Sequence, residues 1–295
     1  MACLRGRLRK PGSLGIGWRR RLSNGIALFA ITAAAAIVTV PLFVILWTVL
    51  RRGLADLNWT FLSQIPVPMG EPGGGMANAI VGSLMILLVA SMIGVPLGIG
   101  SGVYLAEYGQ NRYGNIVRFT ADVLNGVPSI VIGTTAWALV VVTQGHFSLL
   151  AGSVALGIMM IPTIARTTEE VLLLVPQSIR EAAFGLGIPQ WRTVLSVVIP
   201  TASSGIITSI MLAFARVAGE TAPLMFTALG NQFWNGKLNQ PTAALPLQIF
   251  SYARMPYDEA NRQAWTGALV LISIIVITVV VFRYIAGRNA VKGAS

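Results

Sequence analysis

LSNGIALFAITAAAAIVTVPLFVILWTVL, residues 22–50, runs from Arg21 to Arg51 without one charged side chain. A helix rises about 1.5 Å per residue, so about 20 apolar residues cross the roughly 30 Å of bilayer hydrocarbon. This stretch is long enough with turns to spare. Strands of a β-barrel alternate over about ten residues and do not sustain such a run. The stretch therefore reads as a membrane-spanning helix. Four further uncharged runs follow, over 72–106, 123–165, 193–215 and 263–282. The 123–165 run has room for two helices and breaks at the polar turn Thr143-Gln-Gly-His-Phe147. Six spans result, near 26–50, 77–103, 121–142, 148–165, 201–228 and 265–285. The fold expected is an all-α integral membrane protein.

Composition points the same way. Of 295 residues, 55% are hydrophobic and 11% charged, where a soluble domain carries about 25% charged. Mean hydropathy is +0.73. A soluble chain of this size cannot hide so much apolar surface. Cys3 is the only cysteine, so a disulfide framework and a cysteine metal cluster are both excluded.

The net charge of +11 would suggest nucleic acid in a soluble protein. Its distribution gives another cause. With the N-terminus inside, fifteen Arg and Lys fall on cytoplasmic segments and five outside, while Arg216 lies within a span. The excess of basic residues inside places both termini in the cytoplasm without any nucleic acid. Residues 1–25 form a basic tail suited to anionic lipid. Arg20-Arg21 faintly resembles a twin-arginine signal, but the apolar run is too long and lacks a small-residue cleavage site, so a retained anchor is expected. One transmembrane domain, 26–285, is expected, with a tail at 286–295. A cytoplasmic loop near 166–200 and an outer loop near 229–264 stand apart.

The cytoplasmic loop is patterned. Thr167-Thr-Glu-Glu-Val-Leu-Leu-Leu-Val175 reads as a short amphipathic helix stopped before Pro176. Ser178-Ile-Arg-Glu181 reads as a capping box, each side chain bonding the other residue's backbone N–H. Ala182, Ala183 and Phe184 continue that helix, and Gly185 and Gly187 end it. Pro189 prevents continuation. Small residues at 182 and 183 let a partner approach closely.

The spacing Glu181-Ala182-Ala183-x3-Gly187-x9-Val197-x-Ile199-Pro200 resembles the EAA motif of ABC importer permeases, with Val197 and Ile199 in place of Ile and Leu. More of the chain resembles the phosphate-importer permeases of the PstA type. Those stretches are Gly100-Ser-Gly-Val-Tyr-Leu-Ala-Glu-Tyr108, Gly126-Val-Pro-Ser-Ile-Val-Ile-Gly133, Phe214-Ala-Arg-Val-Ala-Gly-Glu-Thr-Ala-Pro223, Ala228-Leu-Gly-Asn231 and Ala244-Leu-Pro-Leu247. The resemblance implies a MetI-like permease core in the bacterial inner membrane. It makes the short helix the coupling helix that seats on an ATP-binding subunit, through Ser178, Glu181, Ala182, Ala183 and Gly187. It implies a second permease chain of the PstC type, two ATP-binding subunits of the PstB type and an external phosphate-binding protein of the PstS type. ATP and Mg2+ would then sit on the partners, with no cofactor in this chain.

Charge inside a membrane is costly and marks function. Arg216 and Glu220 are four residues apart, one face of a helix, and are expected to pair or to face the passage. A guanidinium suits an oxyanion through paired N–H donors. Thr221 follows, and Pro223 is expected to kink the span. Ser129, after Gly126 and Pro128, is expected to line or gate the path. Gly94, Gly98, Gly100 and Gly102 are expected to form a close-packing face. His146 stands alone, and Gly236-Lys237 lacks phosphate-loop spacing, so ATP hydrolysis must come from a partner. A permease for sulfate or molybdate, a channel or secondary transporter, and a membrane enzyme are the alternatives.

Overall fold

The computed structural model describes residues 17–68 and 73–292. Most of the basic tail, with Cys3, Arg5, Arg7, Arg9 and Lys10, lies outside them. Helices make up most of the described residues, and among these one isolated bridge, Leu229–Thr242, is the sole β pairing. The chain divides into two units, 1–48 and 49–295. The first contains most of the Trp18–Gly53 helix, with Pro41 inside it.

Four helices are long and apolar enough to cross a membrane: Leu22–Gly53, Ala77–Glu107, Leu149–Leu173 and Asp258–Tyr284. Two more crossings exist if each bent helix pair counts as one span. Arg112–Gly126 and Ser129–Gln144 meet at 106°, and Gln190–Thr201 and Ser203–Ala218 meet at 72°. Six is thus the number reached with the bent pairs, but spans three and five are not the straight helices expected. The first bend falls at Val127–Pro128, both extended. Proline pushes the residue before it out of the helical region and brings no N–H of its own. The expected helix over 201–228 is also cut. Ser203–Ala218 stops at Gly219, and a separate short helix, Ala222–Thr227, follows. Pro223 sits in its first turn, where a missing N–H costs nothing, so it starts a helix and does not kink one.

The fourth span runs longer than expected. Leu149–Leu173 begins at Ser148, whose Oγ accepts the Ala151 N–H at 3.1 Å, and continues straight through Arg166. The separate helix expected from Thr167 does not exist. Thr168 and Glu169 are buried, so packing carries the helix on.

Leu149–Leu173 is also the most enclosed span, with 72% of its apolar window buried. Its main neighbour is Ala77–Glu107, and glycines set their distance. A Cβ on Gly94 would lie 2.8 Å from Met160 Cβ, on Gly98 2.7 Å from Ile164 Cβ, and on Gly102 2.7 Å from the Ala165 carbonyl oxygen. Gly100 has open space around it and is not part of that seam. In lipid, where apolar burial gives no drive, such close backbone contact holds helices together. Ile86, Leu156, Met160, Val217 and Leu224 complete the core around it.

Candidate functional site

The segment expected to couple to an ATPase folds as the Gln177–Gly185 helix. Pro176 is its N-cap and no side chain caps it. The expected capping box is not made, because the helix begins before Ser178 and leaves Ser178 and Glu181 exposed. The far end matches the expectation at one glycine. Gly187 has φ 76°, its N–H donates to the Phe184 carbonyl at 2.9 Å, and the Ile188 N–H donates to the Ala183 carbonyl at 3.2 Å. Those paired bonds close a helix through a left-handed residue. Gly185 remains inside the helix. Ala183 is buried, whereas Glu181, Ala182 and Phe184 are exposed. Leu174 and Leu186, in the turns before and after the helix, are each 81% exposed.

One residue within the helix turns inward. Arg180 Nη2 meets Glu107 Oε1 at 2.7 Å and donates to the Leu172 carbonyl at 2.9 Å. The two side chains of this ion pair are 10% and 7% exposed. Glu107 is the last residue of Ala77–Glu107. The Gln177–Gly185 helix is therefore pinned to the end of a spanning helix by a buried ion pair. The sequence places Glu107 at the end of an apolar run and inside the Gly100–Tyr108 stretch, and neither names its partner.

Arg216 lies in the last turn of Ser203–Ala218 and is exposed. Glu220 falls beyond the helix end, so the four-residue spacing brings no pairing: among the described residues Arg216 forms no ion pair with it. Its partner is instead Thr163 of Leu149–Leu173, whose Oγ1 accepts from Nη1 at 3.4 Å. The Thr163 hydroxyl donates in turn to Asn125 Oδ1 at 3.1 Å. Ser129 and Thr221 are half-buried and make no hydrogen bond to Arg216.

Beyond the Thr163–Asn125 bond, Arg112–Gly126 and Leu149–Leu173 share further polar rungs. Arg166 Nε meets Asp122 at 2.9 Å and its Nη1 meets Glu169 at 2.6 Å. Arg118 Nε meets Glu169 at 2.6 Å, and its other nitrogens reach the Gly109 and Leu105 carbonyls at 2.9 Å. Residues 118, 122 and 125 share one face of Arg112–Gly126, and 163, 166 and 169 share one face of Leu149–Leu173.

The sequence profile described as "binding-protein-dependent transport system inner membrane component" matches residues 94–291, which include both features. The chain belongs to that family. A phosphate transport system permease protein PstA of Yersinia pestis is 42% identical over 273 residues, covering 92% of each chain. Another of that name, from Xylella fastidiosa strain 9a5c, is 44% identical over 276 residues, covering 92% of this chain and 96% of that one. Among solved structures, the inward-facing MetNI methionine ABC transporter superposes with a TM-score of 0.61 at 20% identity, over 72% of this chain and 97% of its own. That likeness shows the fold, which is the MetI-like ABC permease fold. As an inner membrane component of a binding-protein-dependent system, this permease requires an ATPase and a substrate-binding component.

Proposed function

We propose that this chain is the phosphate-conducting permease subunit of an ATP-driven importer. The observation that carries it is the identity of 42% and 44%, over 92% of the chain, to two phosphate transport permeases. The site suits that substrate. Arg216 is an exposed guanidinium on a membrane helix, held by a hydroxyl and unneutralised by any carboxylate among the described residues. Its paired N–H donors fit an oxyanion. Glu220, Thr221 and Ser129 line the same path. Ser178, Glu181, Ala182, Ala183 and Gly187 present the face that takes the ATPase.

The partners are a second permease chain of the PstC type, two ATP-binding subunits of the PstB type and an external phosphate-binding protein of the PstS type. ATP and Mg2+ bind on the ATPase subunits, and this chain is not catalytic. Both termini lie in the cytoplasm. Closure of the ATPase pair moves the coupling helix. Arg180 carries the movement to Glu107, and the glycine seam passes it to Leu149–Leu173, where Thr163 holds Arg216.

The test is uptake of labelled phosphate at micromolar concentration, in cells whose other phosphate systems are removed. Uptake that needs this chain, resists excess sulfate and molybdate, and disappears in a fully assembled Arg216→Gln variant supports the reading. Unchanged phosphate uptake without the chain overturns it.

A further inference from the structure

The rungs joining Arg112–Gly126 to Leu149–Leu173 have no role in the path described so far. We propose that Arg166 is a second anion-binding residue, one turn nearer the coupling helix than Thr163, and that Asp122 is the partner it gives up when the anion arrives. The inference rests on the reading of this chain as a phosphate permease.

Position comes first. Thr163 and Arg166 are three residues apart on one helix face, so about one turn of helix separates them. Arg216 is bonded to Thr163, which sets the two guanidinium groups in succession along one side of Leu149–Leu173. An anion leaving Arg216 toward the coupling helix meets Arg166 next.

The partners of Arg166 are unequal. Glu169 is 3% exposed and is shared with Arg118, itself anchored on two backbone carbonyls. That carboxylate is fixed. Asp122 is 56% exposed and is held at 2.9 Å by Arg166. Ion pairs open to solvent hold weakly. An oxyanion presents the same oxygen geometry to a guanidinium as a carboxylate does, so phosphate can take the place of Asp122. Asp122 can leave by rotation of its own exposed side chain, while Arg118 and Asn125 keep its helix in place.

The test uses the whole transporter, with its ATPase and binding protein, reconstituted in vesicles and supplied with labelled inorganic phosphate. Arg166→Gln is expected to lower the initial rate by about tenfold or more at normal complex yield, because the charged, paired-donor site for the anion is gone. Asp122→Asn is expected to lower it by less than about threefold, as its pair is solvent-exposed. The double variant is expected to stay as slow as Arg166→Gln. A structural role acts through stability, since Arg166 also holds the buried Glu169: an Arg166→Gln complex whose melting temperature falls together with its uptake has lost structure, whereas slow uptake at the wild-type melting temperature supports anion binding. That joint fall, or a loss of about tenfold in Asp122→Asn alone, overturns the role of Arg166. Should Arg166→Gln fail to assemble, Arg166→Lys keeps the charge beside Glu169 and gives up the paired donors, and wild-type uptake in that variant overturns the role of Arg166. No phosphate uptake by the wild-type transporter overturns this inference and the proposed function together, whereas uptake by wild type with the joint fall in Arg166→Gln overturns this inference alone.

Discussion

Arg180 and Glu107 couple two pieces of chain through one buried contact at 2.7 Å. Removing one partner of a buried pair strands the other charge, at a cost of about 3–5 kcal/mol. Glu107→Gln is therefore expected to lower the melting temperature of the purified complex and to weaken phosphate-dependent ATP hydrolysis. A melting temperature equal to wild type would show that the pair is dispensable. Gly187 offers a cleaner separation of backbone from packing. A Cβ there meets nothing within 4 Å, yet φ is 76°. The conformation alone costs a β-branched residue about 1–2 kcal/mol. Gly187→Val is expected to leave the spans assembled, keep ATP hydrolysis and slow uptake. Gly185→Ala, at a helical position with equal space, is the matched control, expected to change stability by less than about 0.5 kcal/mol. Equal uptake in the two variants would remove Gly187 from the coupling mechanism.

At the scale of helices, the glycine seam sets how near Ala77–Glu107 comes to Leu149–Leu173. Gly98→Leu would place a Cβ 2.7 Å from Ile164 Cβ before the rest of the side chain is counted. Overpacking of this kind costs about 1–3 kcal/mol, and the complex is expected to unfold at lower temperature in detergent. Gly100→Leu, facing open space two residues away, is expected to be tolerated. If the two variants melt alike, the seam is not a packing constraint. The seam was legible in the sequence as a four-residue repeat of small residues, apart from the inclusion of Gly100. The bends at 106° and 72° were not. Uncharged length reports that a segment tolerates lipid, and it carries no direction. Pro128 and Pro223 were visible as breakers, but the same residue ends one helix or begins another according to its neighbours. The extra two turns of Leu149–Leu173 were hidden for a related reason. Arg166 and Glu169 looked like a loop, because their partners stand 44 and 51 positions away, and only those partners make charge acceptable there.

For the whole molecule, the balance of basic residues predicts both termini on the coupling-helix side of the membrane. Cys3 is the only cysteine, so Cys3→Ser gives a background on which single cysteines report their side. A cysteine in place of Ser178 is expected to react with a membrane-impermeant thiol reagent only after the cells are opened, and one in place of Lys237 before. The reverse order would invert the topology. The parts of the site that crossed between spans were the least readable. Arg216 was found from its cost in lipid, but its partner was sought four residues away on the same chain segment. The partner lies 53 residues away, across a helix contact, because the helix ends before Glu220. That pairing has a further outcome. A hydroxyl holds Arg216 in place and leaves its positive charge intact, and charge acts strongly between low-dielectric walls. On the path proposed for this chain, sodium ions and protons meet at Arg216 a repulsive step that an anion does not. A permease built this way admits an anion while the cell's sodium and proton gradients stay undissipated.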